Sequence, residues 1–144
     1  MATITIKNLD RLQKKLNQLS EVDLTNIVKK ATTFVQGQAK TLAPVDTGEL
    51  RRSIHTEVKK ENKAIVGRVY TNNDHAVYVE FGTGQRGAES PIDRPINVTY
   101  KQDWAGMSAQ PYLYPALKGS EKYIDYLVNQ GIKDKLNSIC GGGK

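Results

Sequence analysis

The stretch DLTNIVKKATTFVQGQAKTLAPVDTGELRRSIHTEVKKENKAIVGRVYT, residues 23–71, decides the fold, because its apolar rhythm changes halfway along. Leu24, Ile27, Val28, Ala31, Phe34, Val35, Gln38, Ala39 and Leu42 recur every three or four positions. That spacing lines one stripe of a helix. Ala43-Pro44 ends it, since proline has no amide proton to donate and pushes its predecessor away from helical angles. After Pro44-Val45-Asp46-Thr47-Gly48 the period becomes two. Ile54, Thr56 and Val58 alternate with Ser53, His55 and Glu57, which predicts a half-buried strand. Glu61-Asn62-Lys63 can turn the chain, and residues 64–71 read as the partner strand.

On the N-terminal side, a helix is expected over residues 8–19, with Leu9, Leu12, Leu16 and Leu19 on one face. Ser20, with Asp23 three residues later, reads as a stop followed by a fresh N-cap. On the C-terminal side, Asn72-Asn73-Asp74 signals a turn. Residues 76–81 satisfy either the strand or the short-helix period and end at Gly82. Residues 82–110 are rich in Gly, Pro, Ser, Asp and Asn, with only Ile96-Asn97-Val98-Thr99-Tyr100 strand-like. A polar loop of this length in a small domain is expected to be functional or flexible. A last helix should run from near Pro115 to about Ile139, with Gly131 as a weak point. The sum is an α+β fold: long N-terminal and C-terminal helices packed on a small, mostly antiparallel β-sheet, with a long polar loop. Residues 1–140 read as a single domain and 141–144 as a flexible tail.

A chain of 144 residues with 38% hydrophobic and 25% charged content suits one globular domain with a modest core. No apolar run approaches the roughly 18 residues of a membrane span, and residues 1–7 lack the features of a secretory signal. Folding in a cytoplasm is expected. The single cysteine, Cys140, excludes an internal disulfide and a cysteine-based metal cluster. The net charge of +6 favours an acidic partner, either nucleic acid or an acidic neighbouring subunit. That charge is spread in doublets such as Lys14-Lys15, Arg51-Arg52 and Lys59-Lys60. A solvated basic surface fits this better than a sequence-reading arm.

Several patterns invite a catalytic reading. Asp46-Thr47-Gly48 matches the aspartic-protease triplet, but it follows a helix and a proline, and Glu49 comes next. A second carboxylate there would oppose ionisation of a catalytic pair; a turn or N-cap is the simpler reading. Asp46 with Glu57-Val58-Lys59 loosely fits a Mg²⁺-dependent nuclease. Strand alternation, however, puts Glu57 beside His55 on the face opposite Ile54 and Val58. Gly82, Gly84 and Gly87 give a G-x-G-x-x-G spacing that lacks a following long helix, so a flexible loop is expected. His55 and His75 are isolated and suggest no metal site. Trp104 either folds back onto the core or anchors an interface. No catalytic set, metal or cofactor is expected.

Three segments together resemble a family of phage tail components encoded between the head–tail connector and the tail-tube genes. Ala43-Pro44-Val45-Asp46-Thr47-Gly48-Glu49-Leu50-Arg51-Arg52-Ser53-Ile54 resembles its "aPvdTGeLrrSi" signature. Tyr78-Val79-Glu80-Phe81-Gly82-Thr83-Gly84 resembles its "Y-x-E-F-G-T" motif. Gln110-Pro111-Tyr112-Leu113-Tyr114-Pro115-Ala116-Leu117 resembles its "P-F-L-x-P-A-L" segment, with Tyr112 in place of the usual phenylalanine. The resemblance spans roughly residues 5 to 137. It implies a structural virion protein of the neck or tail-completion region, forming a ring, six-fold by expectation. Its partners would be copies of itself, the head–tail connector or stopper, and the tail terminator or tail-tube protein. DNA passing through the lumen is a further expected contact, and a membrane is not. On this reading Asp46, Thr47 and Gly48 turn the chain from helix to strand, with Leu50 in the same motif. Arg51 and Glu80 are candidates for a charge pair, within the subunit or across to the next. Phe81, Gly82, Trp104, Pro111, Tyr112 and Pro115 complete the candidate interface and structural positions. The 84–110 loop and the N-terminal segment are the expected arms toward neighbours. The alternative is a small DNA-binding protein or Mg²⁺-dependent nuclease.

Overall fold

A computed structural model of the chain describes residues 9–20, 24–62 and 64–141. The elements run α1 (Leu9–Ser20), α2 (Thr25–Leu42), α3 (Glu49–Arg52), β1 (Ile54–Glu61), β2 (Ala64–Thr71), α4 (Ala76–Phe81), α5 (Gly84–Glu89) and α6 (Leu113–Cys140). The fold is α+β, with long helices flanking one two-stranded antiparallel sheet.

The change of period at Pro44 is where helix gives way to sheet. The hairpin pairs from Ile54↔Thr71 at its base to Glu61↔Ala64 at its tip. Asn62 takes a left-handed conformation there, φ 45°, which asparagine tolerates better than most side chains. Asp23, expected as a cap, lies outside the described residues. Leu24 precedes α2 and makes no side-chain capping bond.

α2 is the spine. Its Val35 and Ala39, with Ala43 just beyond, pack with Ile54, Ala76, Tyr112 and Ala116 into the core. Alanines at the contacts let α2 and α6 approach closely, as small side chains permit. Gly131 belongs to the same logic. A Cβ there would collide with the Ile27 side chain, so the expected weak point is a site of close helix–helix approach. Farther along, Phe34 of α2 meets Tyr123 of α6 with ring centroids 4.2 Å apart.

The structure settles one element left open, departs from the sequence reading in two places and moves one boundary by two residues. Residues 76–81 are helical, and the glycine-rich segment after them forms a second short helix, α5. Residues 96–100 form no strand; Val98 and Tyr100 pack beside the α4–α5 turn, while Ile96 stays exposed. α6 starts at Leu113, before Pro115. Pro115 therefore sits in the first turn, where its missing N–H would have had no intrahelical partner.

The apolar stripes are longer than what they bury. Leu12 and Leu16 of α1 are 53% and 55% exposed, and Leu117, Ile132 and Leu136 of α6 are also exposed. No helix among the described residues is long and apolar enough to cross a membrane.

Candidate functional site

The first motif builds a corner. Ala43 is buried and Ala39 O accepts its N–H, ending α2. Asp46 and Thr47 follow, exposed, and Gly48 takes φ 78° before the single turn of α3. The three residues thus turn the chain into a short helix before the strand. Thr47 Oγ1 accepts the Glu49 N–H at 3.4 Å, and Arg52 donates back to Thr47 O at 3.4 Å. Ser53 Oγ donates to Leu50 O and shares a 2.6 Å hydrogen bond with Thr71 Oγ1 at the end of β2. From α2, Gln36 Nε2 donates to Ile54 O at 2.8 Å. The corner is thereby tied to helix and strand alike.

The carboxylates of the protease and nuclease readings sit in different settings. Asp46 is on an exposed turn. Glu57 pairs with Lys59 at 2.8 Å and Arg68 at 3.7 Å on the outer face of the hairpin. Among the described residues, no group of three or more His, Cys, Asp or Glu could hold a metal ion. His55 lies against Tyr70, with ring centroids 5.9 Å apart.

The second and third motifs meet at Glu80. This residue of α4 is 5% exposed. Its Oε2 accepts the backbone N–H of Tyr112 at 2.8 Å and of Leu113 at 3.0 Å, and its Oε1 accepts that of Tyr114 at 2.9 Å. A helix opens with four amide donors that its own turns cannot satisfy. Here Glu80 takes three, and Pro115 removes the fourth by having none. A carboxylate also complements the positive end of the helix dipole. The internal Arg51–Glu80 pair is therefore absent among the described residues: Glu80 is committed to α6, and Arg51 is exposed on α3.

Tyr112 itself is fully buried, and its hydroxyl finds no hydrogen-bond partner among the described residues. Burial, reinforced by the charge of Glu80, pushes its phenol up to about 12. The folded pKa lies above the unfolded one, so the associated stability is complete below pH 10 and is lost as pH climbs towards 12. Tyr112→Phe is accordingly expected to raise the unfolding free energy by about 1 kcal/mol at neutral pH, because a buried unpaired hydroxyl disappears. The substituted protein should also lose less stability than the parent between pH 10 and 12. Urea melts across that range check both statements; equal curves would assign the hydroxyl a partner.

The 82–110 segment is anchored along its length. Thr83 and Met107 exchange backbone hydrogen bonds as an isolated antiparallel bridge, 2.8 and 3.0 Å. Gln85 N–H reaches Trp104 O at 3.1 Å, and Gln110 N–H reaches Val79 O at 2.7 Å. Gly82, Gly84 and Gly106 all have positive φ, and a Cβ on any of them would strike backbone across the bridge. The glycine spacing thus answers a need for close main-chain approach, not for a nucleotide phosphate. Arg94 ties the middle. Its Nη2 donates to Gly87 O, Ala88 O and Ser90 O, closing the end of α5, and its Nε donates to Tyr100 Oη at 3.2 Å. Tyr100 in turn donates to Phe81 O at 2.8 Å. Asp93 reaches Lys118 of α6 at 2.6 Å; the hydrogen bond and the ammonium charge hold the Asp93 carboxyl below its ordinary value. Nothing in the local pattern announced Arg94, Gln36 or the Ser53–Thr71 pair, since their partners are remote or are backbone carbonyls.

The Trp104 side chain does not fold back into the core. Its backbone is held by Gln85, while its side chain stays 53% exposed. It borders a cavity of 530 Å³ that Val77, Tyr78 and Phe81 also line. Val77 and Tyr78 are 60% and 54% exposed, so α4 and the loop present an apolar face to solvent. Pro111 is half-buried beside Tyr112.

All three motifs thus do architectural work, which defines a small scaffold with a braced loop and uncovered apolar faces. The family model for HK97-gp10-like proteins, described as a bacteriophage tail-component, matches residues 6–82, just over half of the chain. The chain belongs to that family of bacteriophage tail components. The match takes in the corner motif and the second motif as far as Gly82, and ends before the loop and the third. No curated protein and no solved structure matches the chain.

Proposed function

We propose that this protein is a non-enzymatic ring component of the neck or tail-completion region, joining the head connector to the tail. Residues 1–140 act as one unit, with 141–144 as a tail. The observation that carries the ring is the presence of exposed apolar side chains on separate elements: Leu12 and Leu16 on α1, and Val77, Tyr78 and Trp104 around α4 and the loop. Two unlike faces on one subunit are what head-to-tail closure requires, and half-exposed aromatics are common anchors at such contacts. Family membership supplies the setting, a phage tail. A six-fold ring stacked between connector and tail terminator or tail tube suits that setting. The net charge of +6 suits a lumen that passes DNA, or an acidic adjoining ring. Assembly would take place in the host cytoplasm before incorporation into the virion.

Light scattering on the purified protein, alone and with its connector and tail partners, tests the ring directly. A uniform closed oligomer is expected, and electron microscopy should place it at the head–tail junction. A strict monomer under every condition, or complete joined particles assembled without the protein, would refute the assignment.

A further inference from the structure

The sheet is narrower than the helical layer beside it. Helices pack about 8–10 Å apart, whereas strands lie about 4.8 Å apart. α6 runs along α2 and, among the described residues, has no strand of its own beneath it. The vacancy is a groove of 590 Å³. Val28, Ala31 and Val35 of α2 line it on one side, and Leu117, Ile124 and Val128 of α6 on another. The remaining wall is β2, through four successive residues, 67–70. Successive strand residues point to opposite faces, so a wall made by all four is the strand's edge and not one of its faces. Among the described residues β2 pairs only with β1, and every second backbone N–H and C=O along that edge points into the groove. β1 carries Glu57, Lys59, Lys60 and Glu61, charges of the kind that protect an edge, whereas β2 carries only Arg68.

We propose that this groove receives residues 3–6, Thr3-Ile4-Thr5-Ile6, of a neighbouring copy as a third strand. The inference rests on the ring reading above. Residues 1–8 lie outside the described part of the structure. Their sequence alternates strictly, every one of the four is β-branched, and such residues suit a strand best. Four residues match the four β2 residues that wall the groove. With Ile4 and Ile6 turned inward they meet α2 and α6, and Thr3 and Thr5 turn outward beside Arg68 and Tyr70. Backbone pairing supplies affinity and the alternate side chains supply specificity, as in other strand additions to a sheet edge. The arm belongs to a neighbour because of α1, which follows it directly. The stripe of α1 leaves Leu12 and Leu16 more than half exposed, so its own subunit does not hold it down by that face.

The test uses full-length chains with Cys140→Ser. One chain carries Thr5→Cys and a size tag; the other carries Tyr70→Cys or, in turn, Arg68→Cys, to sample both registers. Under a mild oxidant, disulfide-linked dimers between the two different chains are expected, since opposed strand residues lie within disulfide reach. A chain bearing both cysteines should give ladders of linked copies. Ile4→Asp with Ile6→Asp should convert the oligomer to a monomer that keeps its helical circular dichroism. A ring by light scattering without any such crosslink overturns the arm and leaves the ring standing. A crosslink found only within single chains overturns exchange between copies. A protein monomeric at every concentration overturns both readings together.

Discussion

Glu80→Ala is expected to lower the unfolding free energy by about 3–4 kcal/mol, a loss large enough to unfold a marginal domain. The carboxylate accepts three amide protons at 2.8–3.0 Å. Hydrogen bonds to a charged group contribute about 1.5–3 kcal/mol each, and a buried amide left without an acceptor costs about 1–3 kcal/mol. The three donors are not equally dry: Tyr112 N–H is buried, and the next two are partly so. Water can replace part of what is lost at the outer pair, which sets the estimate below the simple sum. Glu80→Gln should recover only part of the loss, because its amide group brings N–H donors where acceptors are needed. Arg51→Ala should change stability by less than about 0.5 kcal/mol in the isolated subunit, as for other surface residues. Urea melts of the three proteins separate the cap from a charge pair. Equal effects of Glu80→Ala and Arg51→Ala would restore the pair and remove the cap.

The second large effect is expected at Gly82. Its φ of 74° and ψ of −177° fall in a region that only glycine enters without strain, which costs other residues about 1–3 kcal/mol. A Cβ would also lie 2.6 Å from Met107 O and 2.7 Å from Ala109 N. Both are backbone atoms of the returning loop and cannot swing aside. Gly82→Ala should therefore destabilise the protein by roughly 4 kcal/mol, at the exceptional end for one substitution. Trp104 fluorescence should change, and proteases should begin to cut within residues 90–110. Gly119 supplies the contrast. It lies in α6 with open space around its Cβ position, so Gly119→Ala should stabilise by about 0.5–1 kcal/mol through helix propensity alone. Similar behaviour of the two alanine variants would remove the claim that the main chains meet at the Thr83–Met107 bridge.

The elements most legible in the sequence were those whose physics is local. The α2 stripe, its end before Pro44 and the hairpin turn at Asn62 all arise from side chains within a few positions of one another. The corner at residues 46–48 was legible for the same reason, though the extra turn of α3 was not. Residues 76–81 stayed ambiguous because six positions cannot separate a period of two from one of 3.6. The 82–110 segment misled because Gly, Pro and Ser mark a departure from regular structure, not a departure from order. What holds that segment is a set of backbone bridges and one guanidinium, and no short-range pattern encodes either.

The three motifs divide along the same line. That Tyr78–Gly84 and Gln110–Leu117 matter could be seen from their resemblance to a known family. That they are two halves of one device, a carboxylate on α4 capping a helix that begins 33 residues later, could not. From residue order alone came the α+β class, the main helices and hairpin, and the family to which the chain belongs, because periodicity and short motifs are local properties. Tertiary structure alone decided the partner of Glu80, the bracing of the loop, the groove beside β2 among the described residues and the side chains left uncovered. Each of these depends on groups that are distant along the chain and meet only when the backbone has folded.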